Sequence, residues 1–154
     1  PDHTDVAHSC NNLGMLLQGK GDLAGAEELY RRALAIDEKA LGPDHTSVAR
    51  SCSNLGVLLK AKGDLAGAEE LYRRALAIQE KALGPDHTDV AVIRNNLGGL
   101  LQAKGDLAGA EPLLRRALGI YEKALGSDHT DVGTSCDRLG LLLYIILVHL
   151  MWLL

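Results

Sequence analysis

Phenylalanine is missing from this chain of 154 residues, and with one Trp and four Tyr the aromatic share is only 3%. Few side chains are left on which bases could stack. Charge does not favour nucleic acid either: 16 Lys and Arg against 20 Asp and Glu give a formal net charge of -4, so no basic field attracts a polyanion. β-Branched residues are scarce beside Leu, Ala, Glu, Lys and Arg, which leaves little to build strands from and supplies the strongest helix formers. The three cysteines do not make a disulfide framework. Cys10, Cys52 and Cys136 fall at one slot of the first, second and fourth sequence copies, at least a helix spacing of about 8–10 Å apart. A disulfide needs Cα atoms within about 7 Å. They are expected to be small buried thiols in a reducing cytoplasm. No signal peptide is visible, and the chain starts at Pro1 without an initiator Met, so it reads as a piece of something longer.

Catalytic signatures are lacking as well. There is no G-x-S-x-G, no H-E-x-x-H and no glycine-rich phosphate loop, so neither catalysis nor a cofactor is expected. The Asp-His pairs Asp2/His3, Asp44/His45, Asp86/His87 and Asp128/His129 recur once per sequence copy. That spacing keeps them from sharing a zinc ion, which needs four ligands at about 2 Å. They are expected to cap and pack connectors, and no metal site is expected.

What the chain has is repetition. The 42-residue block from Pro1 to Gly42 returns from Pro43 to Gly84 and from Pro85 to Gly126, and restarts at Ser127. A fixed period in this range means like supersecondary units stacked side by side, each burying its apolar face on the next. The reading is three units, 1–42, 43–84 and 85–126, a partial fourth at 127–143, and an aberrant apolar tail at 144–154.

Each unit splits into two helices. Val6, Ala7, Cys10, Leu13, Gly14 and Leu17 form one stripe at helical spacing, helix A. Gly19, Lys20 and Gly21 end it, and Asp22 supplies an N-cap for helix B. There Leu23, Ala26, Leu29, Tyr30, Ala33, Leu34, Ile36, Ala40 and Leu41 form the apolar face, with Glu27 to Arg31 and Glu28 to Arg32 as i,i+4 pairs. Gly42 and Pro43 stop helix B, and Asp44 and Thr46 are placed to cap the next helix A. Short connections force antiparallel neighbours and generate an all-α solenoid.

The run L-G-x-L-L-x-x-x-G-D-L-x-x-A-E-x-L-Y-x-x-A-L, at Leu13–Leu34 and again at Leu55–Leu76, resembles the tetratricopeptide repeat. The usual unit has about 34 residues. The longer unit here, with its NNLG and ALGPDH runs, is similar to the repeat of kinesin light chains. The resemblance implies a right-handed superhelix of antiparallel helix pairs, with a concave groove lined by the A helices that holds a partner's extended peptide.

Helix A carries a polar row that suits such a groove. Asn12, Asn54 and Asn96 recur one residue before the Leu-Gly pair, with Asn11, Ser53 and Asn95 beside them. Carboxamides offer both a donor and an acceptor to a peptide backbone. Repeats one and two differ at seven positions, and six of them lie on helix A: Asp5/Ser47, His8/Arg50, Asn11/Ser53, Met15/Val57, Gln18/Lys60 and Gly19/Ala61. The seventh is Asp37/Gln79 on helix B. His8, Asn11, Met15 and Gln18 are spaced by three or four and share a face. Drift of exposed positions would vary both helices alike, and helix B hardly varies. The candidate groove is therefore His8, Asn11, Asn12, Met15, Gln18, Arg50, Ser53, Asn54, Val57, Lys60, Asn95, Asn96 and Gln102. The expected partner is a protein or peptide, not nucleic acid.

After Leu143 the turn residues vanish and the chain reads YIILVHLMWLL. Helix A of the fourth unit should run on, but the stretch 139–154 reaches only ~24 Å, short of the ~30 Å of bilayer hydrocarbon. Three readings compete: a membrane tail anchor, a native capping helix, and a departure from the coding frame after Leu143. The last explains best why no polar face remains, and a membrane partner is expected only if the tail is genuine. The functional expectation is a non-enzymatic cytoplasmic scaffold. The alternatives are a membrane-tethered adaptor and a fragment of a larger signalling protein.

Overall fold

The computed structural model describes residues 3–152, so Asp2 of the first Asp-His pair and residues 153 and 154 of the tail lie outside it. The described residues form seven helices and no strand: α1 His3–Gly19, α2 Leu23–Leu41, α3 Thr46–Lys62, α4 Leu65–Leu83, α5 Thr88–Ala103, α6 Leu107–Leu125 and α7 Thr130–Trp152. Two compact units divide them, Pro1–Ala82 and Leu83–Leu154.

In the first unit α1 and α2 form an antiparallel pair, because a three-residue turn leaves the chain no room to do otherwise. The contacts step backwards along α2 as they step forwards along α1. Ala7 and Cys10 pack with Ala33, Leu29 and Ile36, Gly14 lies under Tyr30, and Leu17 approaches Gly25. Gly14 is needed for the closest of these approaches. A Cβ there would fall 2.7 Å from the Tyr30 ring, and one on Gly56 of α3 would fall 2.9 Å from Tyr72 of α4. Asp22 caps α2 by accepting from the Gly25 amide at 2.9 Å, and Asp64 does the same for Gly67. At the end of α2, Gly42 adopts φ 88° and ψ 162°, a conformation essentially closed to other residues.

The caps of the A helices correct the sequence reading. Asp44 and Thr46 were expected there, but the N-cap of α3 is His45, whose Nδ1 accepts from the Ser47 amide at 3.1 Å. An N-cap side chain must reach the amide two or three residues on, and Asp44 stands one position too early. His87 and His129 repeat the arrangement in the second unit. The Asp side chains are left to bind neighbouring helices: Lys81 Nζ holds Asp44 at 2.7 Å, and Arg116 holds Asp86 at 2.6 Å. Lys81 thereby keeps the Asp44 carboxyl below the usual carboxylate range.

Within the second unit, Ala91, Ala117, Ile120, Tyr121 and Val132 make one core cluster joining α5, α6 and α7. Leu114 takes the place of Tyr30 and Tyr72, lying 2.7 Å from where a Cβ on Gly98 would be. The uninterrupted fourth A helix expected from sequence is present as α7, and by length and composition it is sufficient to cross a membrane. Among the described residues no B helix packs on it, and a Cβ on Gly140, the counterpart of Gly14, would meet nothing within 4 Å.

That missing partner overturns one expectation about the thiols. Cys10 and Cys52 are buried, but Cys136 is exposed, because no described helix covers its slot. Burial also pushes the Cys52 thiol up to about 11, with Glu38 raising and Arg74 lowering it. Since the thiolate is the reactive form, Cys136 alone should react with a thiol reagent under native conditions, and all three cysteines after denaturation. Mass spectrometry of the alkylated chain checks this, and prompt native labelling of Cys52 would contradict the burial.

Candidate functional site

In the first unit the exposed face of α1 carries His8, Asn12 and Met15, spaced by four and three residues. On α3 the same register places Arg50, Asn54 and Val57, with Arg50 and Val57 exposed and Asn54 half-buried. Met15 is 59% exposed and Val57 40%, so two apolar side chains stand in water beside carboxamides and cations. Helix B presents a different chemistry. Its outer surface is laced by Arg31–Glu27 at 2.8 Å, Arg73–Glu69 at 2.7 Å and Arg115–Glu111 at 2.8 Å. Lys62 reaches Glu27 from α3 as well, and Lys62 first, then Arg31, hold its carboxyl below the ordinary range.

The column Asn11, Ser53 and Asn95 must be taken off the open face. Asn11 is 3% exposed, and its Nδ2 donates to Ser51 Oγ at 3.0 Å. Ser51 Oγ donates in turn to Asp37 Oδ2 at 2.8 Å, and Asn54 Nδ2 reaches Asn11 Oδ1 at 3.4 Å. Asn11 is thus a seam residue tying α1, α2 and α3 together. Asn95 is buried at 8%, and neither its Oδ1 nor the covered Ser53 hydroxyl has a hydrogen-bond partner. The error lies in angular resolution. Positions 11 and 12 are 100° apart on a helix, so a row of polar residues read as one surface straddles the boundary between seam and solvent.

Gln18 and Lys60 lie at the rim, both half-buried, and Gln18 Oε1 accepts from the Tyr30 hydroxyl at 3.0 Å. In the second unit Asn96 and Gln102 are half-buried on α5, and Val92, in the slot of His8 and Arg50, is 46% exposed. Asp37 and Ser51 escaped the sequence reading. Their signal was the Asp37/Gln79 exchange, the one difference between the first two B helices. Among the described residues no three His, Cys, Asp or Glu side chains come together.

The chain matches the family model described as tetratricopeptide repeat over residues 5–81, 51–123 and 89–146. It belongs to the tetratricopeptide repeat family. Among solved structures, this tetratricopeptide array is similar to BtubC (BKLC) from P. vanneervenii, at 26% identity and a TM-score of 0.85. The match covers 92% of this chain and 57% of that one. A kinesin light chain candidate from Podosopora anserina, built of nearly identical TPR-like repeats, matches at 29% identity and a TM-score of 0.85, over 92% of this chain and 67% of that one. The N-terminal domain of stress-induced protein-1 from C. elegans shares the fold alone, at 17% identity and a TM-score of 0.66 over 90% of this chain and 98% of that domain. No curated protein matches. The repeats are therefore of the kinesin-light-chain-like kind, in an all-α solenoid of helix pairs, a fold that typically serves as a non-enzymatic scaffold for protein–protein interaction.

Proposed function

We propose that this tetratricopeptide array holds an extended peptide of a partner protein along the open face of its A helices. The observation that supports the reading is the matched register on α1 and α3. His8, Asn12 and Met15 on one helix and Arg50, Asn54 and Val57 on the next alternate cation or imidazole, carboxamide and apolar groups, with both apolar members standing in water. A peptide laid across them finds donors and acceptors for its backbone at the Asn pair, and apolar surface for its side chains at Met15 and Val57. Residues 8 and 50, which differ between otherwise near-identical repeats, would tune which sequence is held.

A peptide-array screen with the full chain tests this. Hits should lose about tenfold or more in capture when Asn12 and Asn54 are both changed to Ala, the size expected when two hydrogen bonds of about 1 kcal/mol each are removed. They should lose as much when Met15 and Val57 become Glu. Arg31→Ala on the B face should leave capture unchanged. If every hit survives both A-face variants, the peptide lies elsewhere.

A further inference from the structure

The last turns of α7 differ from every other surface of the molecule. Val132, Ser135, Leu139 and Leu142 are its buried residues, one stripe spaced by three and four that docks the first half of the helix on α6. Past Leu142 no described residue is buried. Leu147 is 57% exposed, Leu150 54%, Met151 69% and Trp152 87%, and Tyr144 is 65% exposed where the free portion begins. No Asp, Glu, Lys or Arg occurs from Leu139 onwards.

We propose that the free end of α7, from Leu143 to Trp152, inserts into one leaflet of a lipid membrane while the repeats remain in water. The pattern of side chains selects lipid over a protein partner. A helix that docks in a groove or pairs with another helix presents one apolar stripe and keeps a polar face. Here Leu143, Leu147 and Leu150 lie on one side, and Ile145, Ile146 and Val148 on the others, so every face is apolar. Hydrocarbon asks for that and a groove does not. Of the polar side chains within the stretch, His149 spends one ring nitrogen within the helix: Nδ1 lies 2.8 Å from the Ile145 carbonyl oxygen, which can only accept.

Length then limits the depth. Ten residues at 1.5 Å make ~15 Å, half of a ~30 Å hydrocarbon core, so these ten residues match the depth of one leaflet. Aromatic side chains at the segment's two ends favour the level where hydrocarbon meets the headgroups. Trp152 is suited to that level, because an indole keeps its ring in the apolar layer and its N–H among the headgroups, and Tyr144 matches it where the helix enters. The free portion therefore lies shallow, submerged between two aromatic anchors. With a net charge of -4 and no cation beyond Arg138, attraction to anionic headgroups contributes nothing. This reading does not depend on the peptide face.

Trp152 is the single tryptophan, so it reports on its own insertion. Mixing the full chain with neutral phosphatidylcholine vesicles should shift its emission to the blue and carry the chain to the top of a flotation gradient. Bromines near the headgroups should quench it more than bromines deep in the acyl chains, and adding phosphatidylserine should weaken binding. Leu147→Asp and Leu150→Asp should each reduce flotation by about tenfold or more, since a charged side chain opposes membrane burial by about 2.5–3.5 kcal/mol at full depth. Both positions are exposed, so far-UV circular dichroism should show unchanged helicity in these variants. Emission indifferent to vesicles overturns the proposal. So does a blue shift without vesicles that grows with protein concentration alongside sedimentation as a dimer, which would make the occupant a second copy.

Discussion

Tyr30→Ala should lower the unfolding free energy by about 3–5 kcal/mol, the range for emptying a buried aromatic site, while Tyr30→Leu should cost under about 1.5 kcal/mol. Tyr30 is 1% exposed and lies on Gly14, which has no side chain to fill the space if the ring is removed. Two helix backbones would then face each other across a void, and neither can move without dragging its turn. Leucine is already tested by the protein itself, since Leu114 packs on Gly98 in the third repeat. The lost Tyr30 hydroxyl matters less, because its acceptor Gln18 is half-buried and can turn to water. The reciprocal change gives an internal control. Gly14→Ala would press a methyl group against the ring and should cost about 1–3 kcal/mol. Gly140→Ala meets nothing and should add up to about 1 kcal/mol through helix propensity alone. Urea unfolding followed by far-UV circular dichroism separates these cases. Equal effects at Gly14 and Gly140 would refute the packing argument.

Ser51→Ala and Ser135→Ala remove the same atom from the same slot of two repeats, yet only the first should destabilise the fold. Ser51 Oγ stands between Asn11 Nδ2 and Asp37 Oδ2, so its loss strands a donor and an acceptor in the interior and should cost about 1–3 kcal/mol. In the second unit Tyr121 replaces Asp37, and the acceptor is gone. Ser135 Oγ and Asn95 Oδ1 are then buried without partners, although Arg138 donates to the Asn95 backbone carbonyl at 2.9 Å. Removing an unsatisfied hydroxyl should be neutral or stabilise by up to about 1 kcal/mol. Burial, and with it Asp131, pushes the Tyr121 hydroxyl up to about 12, with Arg138 opposing, but no hydrogen bond joins that hydroxyl to Ser135. Denaturation midpoints that move the same way for both variants would show that the polar seam contributes nothing.

Helix boundaries, pairing order and the family were legible because each rests on a local signal repeated several times. Gly-Asp before helix B, Gly-Pro after it and a period of 42 residues all survive any uncertainty about a single position. The candidate face was less legible because it depends on rotation about the helix axis. Asn12 and Asn11 look equivalent in sequence, yet one faces water and the other lies in the seam. Leu13 fails for a different reason. It belongs to the apolar stripe, and its counterparts Leu55 and Leu97 are buried to 1%, but it is 46% exposed because no described helix covers its side of α1. Cys136 is its mirror image at the last repeat. Periodicity assigns a residue to a slot, while exposure depends on whether the neighbouring unit exists. The histidine caps were missed because acidic and hydroxyl side chains lead the usual capping preferences, and imidazole nitrogen enters only through geometry.

Near-identical modules face a hazard that chains with unlike segments escape: a helix can settle against the wrong copy of its neighbour and still bury the same leucines. The B helices α2 and α4 are the same sequence except at Asp37 and Gln79. If α2 were to fold onto α5 in place of α3, Asp37 would meet Ile93 where it now meets Ser51, and a carboxylate would be sealed in without a donor. The trio of Asn11, Asp37 and Ser51 therefore acts as an address label, making one assembly order of interchangeable parts cheaper than the others.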